Sequence, residues 1–141
     1  MLRVWLRSVM WGPVLAYAAA IFWVSSQPAP EMAAGNDLEL HVLAYGLFAA
    51  LCARALYFTT TLPPLRVFCL AFAGAWLYGA TDELHQAFVP ERTASWLDLA
   101  ADGVGAFLGA GLVMLGYRAV RAAADSRGLP NPRKVPGGPG G

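Results

Sequence analysis

The sequence predicts an all-α membrane protein, a bundle of four transmembrane helices with both termini in the cytoplasm. Hydrophobic residues make up 57% of the 141 residues and charged residues 13%, whereas a soluble domain carries about 25% charged residues. The apolar residues form long blocks, each close to the roughly 20 residues that cross about 30 Å of hydrocarbon. These blocks are continuous and rich in Ala, Leu and Gly, without period-two alternation, so they predict helices rather than membrane strands.

The four predicted spans cover residues 8–26, 38–57, 67–84 and 97–117. Prolines, which end helices, fall between the blocks: Pro28, Pro30, Pro63, Pro64 and Pro90. A rival interpretation makes the first block a cleaved signal peptide, with basic residues before it and small residues near a cleavage site. Its length and flanking charges favour a retained span.

The charges predict the orientation and the domain limits. Nine of the ten basic residues lie on one side of the predicted membrane, and Arg92 is the exception. The positive-inside rule places that side in the cytoplasm. Eight of the nine acids lie on or near the other side. We assign residues 1–120 to the membrane domain and 121–141, rich in Gly, Pro and basic residues, to a disordered cytoplasmic tail.

Residues 78–93 gather polar side chains within an otherwise apolar chain. Charges are costly inside a bilayer, so this segment is either a surface loop or a functional site. Helical spacing places Tyr78, Asp82 and His85 on one face of the third span, with Gln86 on its shoulder and Glu83 elsewhere. Acids near a helix C-terminus oppose the helix dipole, so helix stability does not explain them. We therefore include this group in a candidate pocket.

Two other spans carry polar side chains that the pocket would share. His41 and Tyr45 lie on one face of the second span. In the fourth, Asp98 completes a capping box with Ser95, whereas Asp102 is one turn deeper, about 6 Å further along the axis, and cannot be a cap.

Asp102 shares its face with Gly105 and Gly109, which predict a close helix contact. Arg92 is interpreted either as a clamp on a carboxylate or as a ligand for an anion.

These residues resemble the VanZ-like family of bacterial integral membrane proteins. The resemblance is carried by the sequence Ile-Phe-Trp-Val-Ser-Ser-Gln-Pro at 21–28, by the polar block at 82–93, and by Asp37, His41, Tyr45, Asp98, Asp102, Gly105 and Gly109. It implies a four-helix bundle in the bacterial cytoplasmic (inner) membrane, and the founding member lowers susceptibility to the glycopeptide teicoplanin. The family often has Lys after the acid that corresponds to Asp37, where this chain has Leu38.

Three functions are compatible with the pattern. The leading hypothesis is a non-catalytic envelope protein whose outward pocket binds a ligand, a lipid headgroup, a glycopeptide or a partner. The candidate pocket is His41, Tyr45, Tyr78, Asp82, Glu83, His85, Gln86, Arg92, Asp98 and Asp102. The second is an interfacial enzyme acting on an envelope lipid, with His41, Asp82 and His85 as catalytic residues. The third is a bundle in which the cluster only holds helix ends together.

No cofactor and no metal is expected, because the two histidines lack the HExxH spacing of a zinc site. A metal-dependent enzyme would instead draw its ligands from His41, His85, Asp82 and either Asp98 or Asp102. No nucleic-acid motif occurs, and membrane lipids are the expected surroundings. The oligomeric state is left open.

Overall fold

The computed structural model describes residues 2–28 and 37–130. In these ranges it contains four α-helices: α1 (Leu2–Ser25), α2 (Asp37–Thr59), α3 (Pro64–Gln86) and α4 (Trp96–Ser126). The predicted all-helical fold is confirmed. Pro30 and residues 131–141 of the predicted tail lie outside the described residues.

Three of the helices are long and apolar enough to cross a membrane: Arg7–Ser25 within α1, Leu38–Thr59 within α2, and Trp96–Ser126, which is α4. Within the described ranges, α3 does not join this group. It is less apolar because it carries Arg66, Asp82 and Glu83. The chain is therefore a membrane protein with three strongly apolar helices, and the crossing of α3 stays a prediction.

Local sequence explains where the helices begin and end. Pro64 opens α3, a position where the missing N–H is not needed, and Ser95 caps α4 by accepting from the N–H groups of Leu97 and Asp98. α4 runs to Ser126, so residues 121–126, which the sequence analysis assigns to the tail, are helical. It stops before Gly128, whose φ of 65° is the left-handed conformation that ends many helices.

The interior of the bundle is built from small residues, and the large apolar side chains face outward. Most of the buried hydrophobic residues are alanines from α2, α3 and α4, whereas Leu43, Leu77 and Leu112 are exposed. Membrane bundles show this distribution because lipid is as apolar as leucine, and small side chains let helices approach closely. The two cysteines, Cys52 and Cys69, are free thiols.

The contact between α2 and α4 is the most extensive in the bundle, and glycines determine how close it is. A Cβ on Gly105 would overlap the backbone of Val42, and one on Gly109 would overlap the carbonyl of Gly46. The predicted close contact at Gly105 and Gly109 is confirmed, and its partner is α2. α1 packs mainly on α2 and touches α3 at few points.

Candidate functional site

His41 and Asp102 face each other across the α2–α4 interface. Nδ1 of His41 lies 2.8 Å from Oδ1 of Asp102, and the Asp102 side chain is 0% exposed. Asp102, which shares its helix face with Gly105 and Gly109, therefore points into the bundle. The buried carboxylate therefore has a partner from another helix rather than from its own backbone.

Glu83 approaches the same pair from α3. It is 5% exposed, and its Oε2 accepts a hydrogen bond of 2.8 Å from the backbone N–H of Ser95. In a capping box, the carboxylate of Asp98 would accept a hydrogen bond from that N–H. Glu83 therefore makes the hydrogen bond that the sequence predicted for Asp98. Helical spacing predicts that Glu83 lies off the face of Asp82, and this other face is the one that packs toward α4. We call His41, Glu83 and Asp102 the inner cluster.

One atom from each member of the inner cluster lies within 4.8 Å of the others. Among the described residues, Oε1 of Glu83 and Oδ2 of Asp102 are buried without a hydrogen-bond partner. Oδ2 points at Gly79 of α3, where an added Cβ would come within 2.5 Å. A glycine is therefore needed at position 79 for α3 to pass over this carboxylate.

Two predicted pocket residues surround the inner cluster. The ring of Tyr45 stacks on that of His41 at a centroid distance of 6.2 Å, and Tyr45 is almost completely buried. Asp98 lies one turn before Asp102, close enough to interact electrostatically with Glu83 and Asp102. This end of the bundle thus concentrates negative charge around a single imidazole.

The other predicted residues form a separate group at the end of α1. Asp82 is 6% exposed; its Oδ1 accepts from Ser25 Oγ at 2.6 Å and its Oδ2 from Gln86 Nε2 at 3.1 Å. Its carboxylate is therefore satisfied by neutral donors. Asp82 and His85 share a face of α3, but among the described residues each bonds to other partners.

His85 and Tyr78 also contact α1. Nε2 of His85 lies 3.0 Å from Oγ of Ser26, while that hydroxyl donates to the carbonyl of Phe22. Because the serine donates its proton to a carbonyl, it is not arranged as a nucleophile that His85 would activate as a base. The hydroxyl of Tyr78 donates to the carbonyl of Ala18 at 2.8 Å.

Among the residues that the structure describes, Arg92 bonds to backbone carbonyls and not to a carboxylate of the inner cluster. Its Nε donates to the carbonyl of Gln27 at 3.1 Å, and its terminal nitrogen to that of Val24 at 3.4 Å. Its described acceptors are therefore carbonyls at the C-terminal end of α1 and just after it, so the clamp on a carboxylate stays a prediction. We call the bonds from Tyr78, Asp82, His85 and Arg92 to α1 the α1 clasp.

The contribution of α1 to this site was not predicted from the sequence. Ser25 and Ser26 were noted only as part of a resembling motif, although they bind Asp82 and His85. A signal was present: two hydroxyls and an amide end an apolar block, where a span needs no polar side chains. Assigning them to α3 required knowledge of which helices are neighbours.

The sequence was also compared with protein families, and the match covers these residues. The profile of the VanZ/LLP1 family matches residues 10–117. The chain belongs to the VanZ/LLP1 family. No curated protein and no solved structure matches it. The matched range spans the inner cluster and the α1 clasp.

Two cavities lie away from these polar groups. An open groove of about 390 Å³ runs between α3 and α4 beside Trp76 and Phe107. A smaller one of about 250 Å³ lies at the opposite end of the bundle, beside Tyr57, Tyr117 and Arg118. The first is apolar and faces outward among the leucines, as expected for a surface covered by lipid. Neither of these two cavities is lined by a residue of the inner cluster.

Proposed function

We propose that this VanZ/LLP1 protein is a non-catalytic binding protein of the bacterial cytoplasmic membrane, that the inner cluster is its binding site, and that the adjoining α1 clasp covers this site. The ligand is an envelope component, a lipid headgroup or a glycopeptide, and binding lowers susceptibility to glycopeptides of the teicoplanin type. We further propose that α3 crosses the membrane, that both termini are cytoplasmic, and that the inner cluster faces outward.

The observation that carries the proposal is the burial of Asp102 beside a second carboxylate. A buried carboxylate stabilises a bundle poorly even when paired, and an unpaired one costs free energy. Glu83 and Asp102 each retain a buried oxygen without a partner in the part of the chain that the structure describes. Groups that folding does not need, and that burial makes costly, support a role in binding.

The charges favour a ligand that donates hydrogen bonds. Two acids, Glu83 and Asp102, lie beside His41, and Arg92 bonds to carbonyls at the end of α1. Hydroxyl and amine groups, which headgroups and glycopeptides both carry, match carboxylate acceptors. The anion held by Arg92 in the sequence analysis is therefore not part of the proposed complex.

Entry requires movement at the α1 clasp. α1 contacts α3 at few points, and those contacts include the hydrogen bonds of Ser25 to Asp82 and of Ser26 to His85. A few hydrogen bonds, each contributing about 1 kcal/mol, are easier to open than an extensive packed interface. Displacing the end of α1 would expose Asp82 first and the inner cluster behind it.

Glycopeptide susceptibility in complemented deletion strains tests the proposal. Deleting the gene should lower the inhibitory concentration of teicoplanin, and the wild-type chain should restore it. Asp102→Asn and His41→Gln should fail to restore it at equal membrane abundance. The matched control is Glu39→Gln, an acid exposed on α2, which should behave as wild type. Full restoration by both cluster variants would remove the inner cluster from the function.

One observation favours a second function, an interfacial enzyme acting on an envelope lipid. Asp102 holds His41 through Nδ1 at 2.8 Å, as an acid orients the general base in many hydrolases. In this version Asp102 replaces Asp82 and His85 as the partner of His41. Purified protein incubated with an envelope lipid extract would form a new product detectable by mass spectrometry, and His41→Gln would abolish it. Absence of any product with the wild-type protein favours the binder.

A further inference from the structure

We propose that His41, Glu83 and Asp102 form a binding site for one divalent transition-metal ion. The site would combine an imidazole nitrogen from α2 with one carboxylate oxygen each from α3 and α4. The inference uses the same cluster as the proposed function, but it concerns the occupant of the cluster and does not require any effect on glycopeptides.

The first support is geometric. The three candidate ligand atoms lie within 4.8 Å of one another, whereas ligands on a tetrahedral ion at about 2.1 Å lie roughly 3.4 Å apart. The contact of 2.8 Å between Nδ1 of His41 and Oδ1 of Asp102 is a hydrogen bond, which a bond from the imidazole nitrogen to an ion would replace. The oxygens of Glu83 and Asp102 that lack a partner among the described residues are available as the other two ligands.

The second support is the pair of buried oxygens without partners. Asp102 is 0% exposed and Glu83 is 5% exposed, and Oδ2 of the first and Oε1 of the second make no hydrogen bond to any described residue. Buried polar atoms normally have a partner, so two such atoms on neighbouring carboxylates indicate a missing ligand. Glu83 is held in place by Ser95 through its other oxygen, which orients it as an outer hydrogen bond orients a metal ligand.

The third support is charge. Within the described ranges no arginine or lysine pairs with Glu83 or Asp102, while Asp98 and Asp82 add negative charge nearby. His41 alone can balance at most one of these carboxylates. A divalent cation would balance two carboxylates while leaving the imidazole neutral, the form in which histidine binds metals.

One imidazole with two carboxylates suits Zn²⁺, and the oxygen-rich set also suits Mn²⁺. The open coordination positions would be filled by water or by a ligand hydroxyl.

Metal binding can be measured on the full chain in detergent. Purified protein is stripped with a chelator, dialysed and titrated by calorimetry with ZnCl₂ and separately with MnCl₂. We expect about one ion per chain and a raised melting temperature, because an ion that binds only the folded chain stabilises it. X-ray absorption of the Zn²⁺-loaded wild type should show a single imidazole and oxygen ligands, without sulfur.

Three matched pairs of variants localise the site. His41→Gln is compared with His85→Gln, Glu83→Gln with Glu39→Gln, and Asp102→Asn with Asp125→Asn. Each inner-cluster variant should weaken metal binding by more than about tenfold to hundredfold, the loss expected when only a hydrogen-bond partner of a metal ligand is removed. Each control variant should bind the metal as the wild type does. The absorption spectrum of the wild type keeps the test valid if a cluster variant fails to fold.

Several results would overturn the inference. These are a wild-type chain that binds neither ion, two imidazoles or a cysteine sulfur in the absorption spectrum, or equal losses in His85→Gln and His41→Gln. Metal binding by the wild type, with unchanged teicoplanin susceptibility in the inner-cluster variants, would reject the proposed function but not the metal site. Changed susceptibility in those variants, without metal binding by the wild type, would reject the metal site but not the proposed function.

Discussion

Nδ1 of His41 and Oδ1 of Asp102 lie 2.8 Å apart although 61 residues of sequence separate them. The backbone next to this pair explains the distance. Val42, the residue after His41, packs its carbonyl against Gly105, one turn beyond Asp102. A side chain at position 105 would hold α2 away from α4, and the polar contact would lengthen with the helix spacing. The packing glycines and the inner cluster are therefore one structural unit.

The first prediction concerns the shape and charge of Asp102. Asp102→Leu should destabilise the protein by about 1–3 kcal/mol, because leucine removes the acceptor of His41 and overpacks against Gly79. Asp102→Asn keeps the size and an acceptor, so its loss should be smaller. Melting in detergent measures both, with Asp125→Leu at the exposed end of α4 as control. If leucine melts no lower than asparagine, the side chain does not face the interior as described.

The second prediction concerns the α2–α4 contact. Gly109→Leu should lower both the melting temperature and the yield in detergent, because the new side chain has no space beside the carbonyl of Gly46. The control is Gly116→Leu on the same helix, which meets nothing within 4 Å and should be tolerated. Equal behaviour of the two variants would show that the packed glycine face of α4 is not where the structure places it.

The sequence predicted the helices well because composition and length determine them, and it predicted Asp102 and the glycines because they share one helical face. It did not predict that the polar residues divide into the inner cluster and the α1 clasp. Periodicity gives the direction of a side chain relative to its own helix, but not which helix lies opposite. Helical spacing therefore placed Glu83 off the face of Asp82, although α4 lies on that side. Arg92 was interpreted as a clamp on a carboxylate or as a ligand for an anion, because the carbonyls at the end of α1 leave no trace in side-chain patterns.

The third prediction tests the α1 clasp through Ser25. Ser25→Ala should cost about 1–3 kcal/mol, since Oδ1 of the buried Asp82 loses its donor at 2.6 Å. Ser126→Ala removes a hydroxyl bonded only to a nearby carbonyl on an exposed turn and serves as the control. Proteolysis near residue 27 should also become faster in the Ser25 variant if the end of α1 is released. Unchanged melting and proteolysis would mean that the clasp does not hold α1.

The fourth prediction concerns orientation. Because nine of the ten basic residues lie on one side of the predicted spans, both termini should be cytoplasmic. Reporter domains fused after Gly141 and before Met1 should be active inside the cell, and a reporter inserted after Glu91 should be active outside. An active external reporter at either terminus would reverse the topology or change the number of crossings, and α3 is the helix whose crossing it would question.

The last prediction separates the two roles considered for Arg92. If Arg92 only ties the loop to α1, Arg92→Gln should lower the melting temperature slightly, because the lost bonds are exposed and contribute about 1 kcal/mol each. Arg92→Lys should restore little of the lost stability, because an ammonium group lacks the planar fork of N–H groups with which a guanidinium reaches two carbonyls at once. Teicoplanin susceptibility and metal binding should match wild type in both variants, as they should in the control Arg118→Gln at the other end of the bundle. An arginine that binds an anionic ligand predicts the opposite pattern, with unchanged melting and lost function. That result would place the ligand at the loop rather than at the inner cluster, because 3.1 Å to the carbonyl of Gln27 leaves the guanidinium on the α1 side.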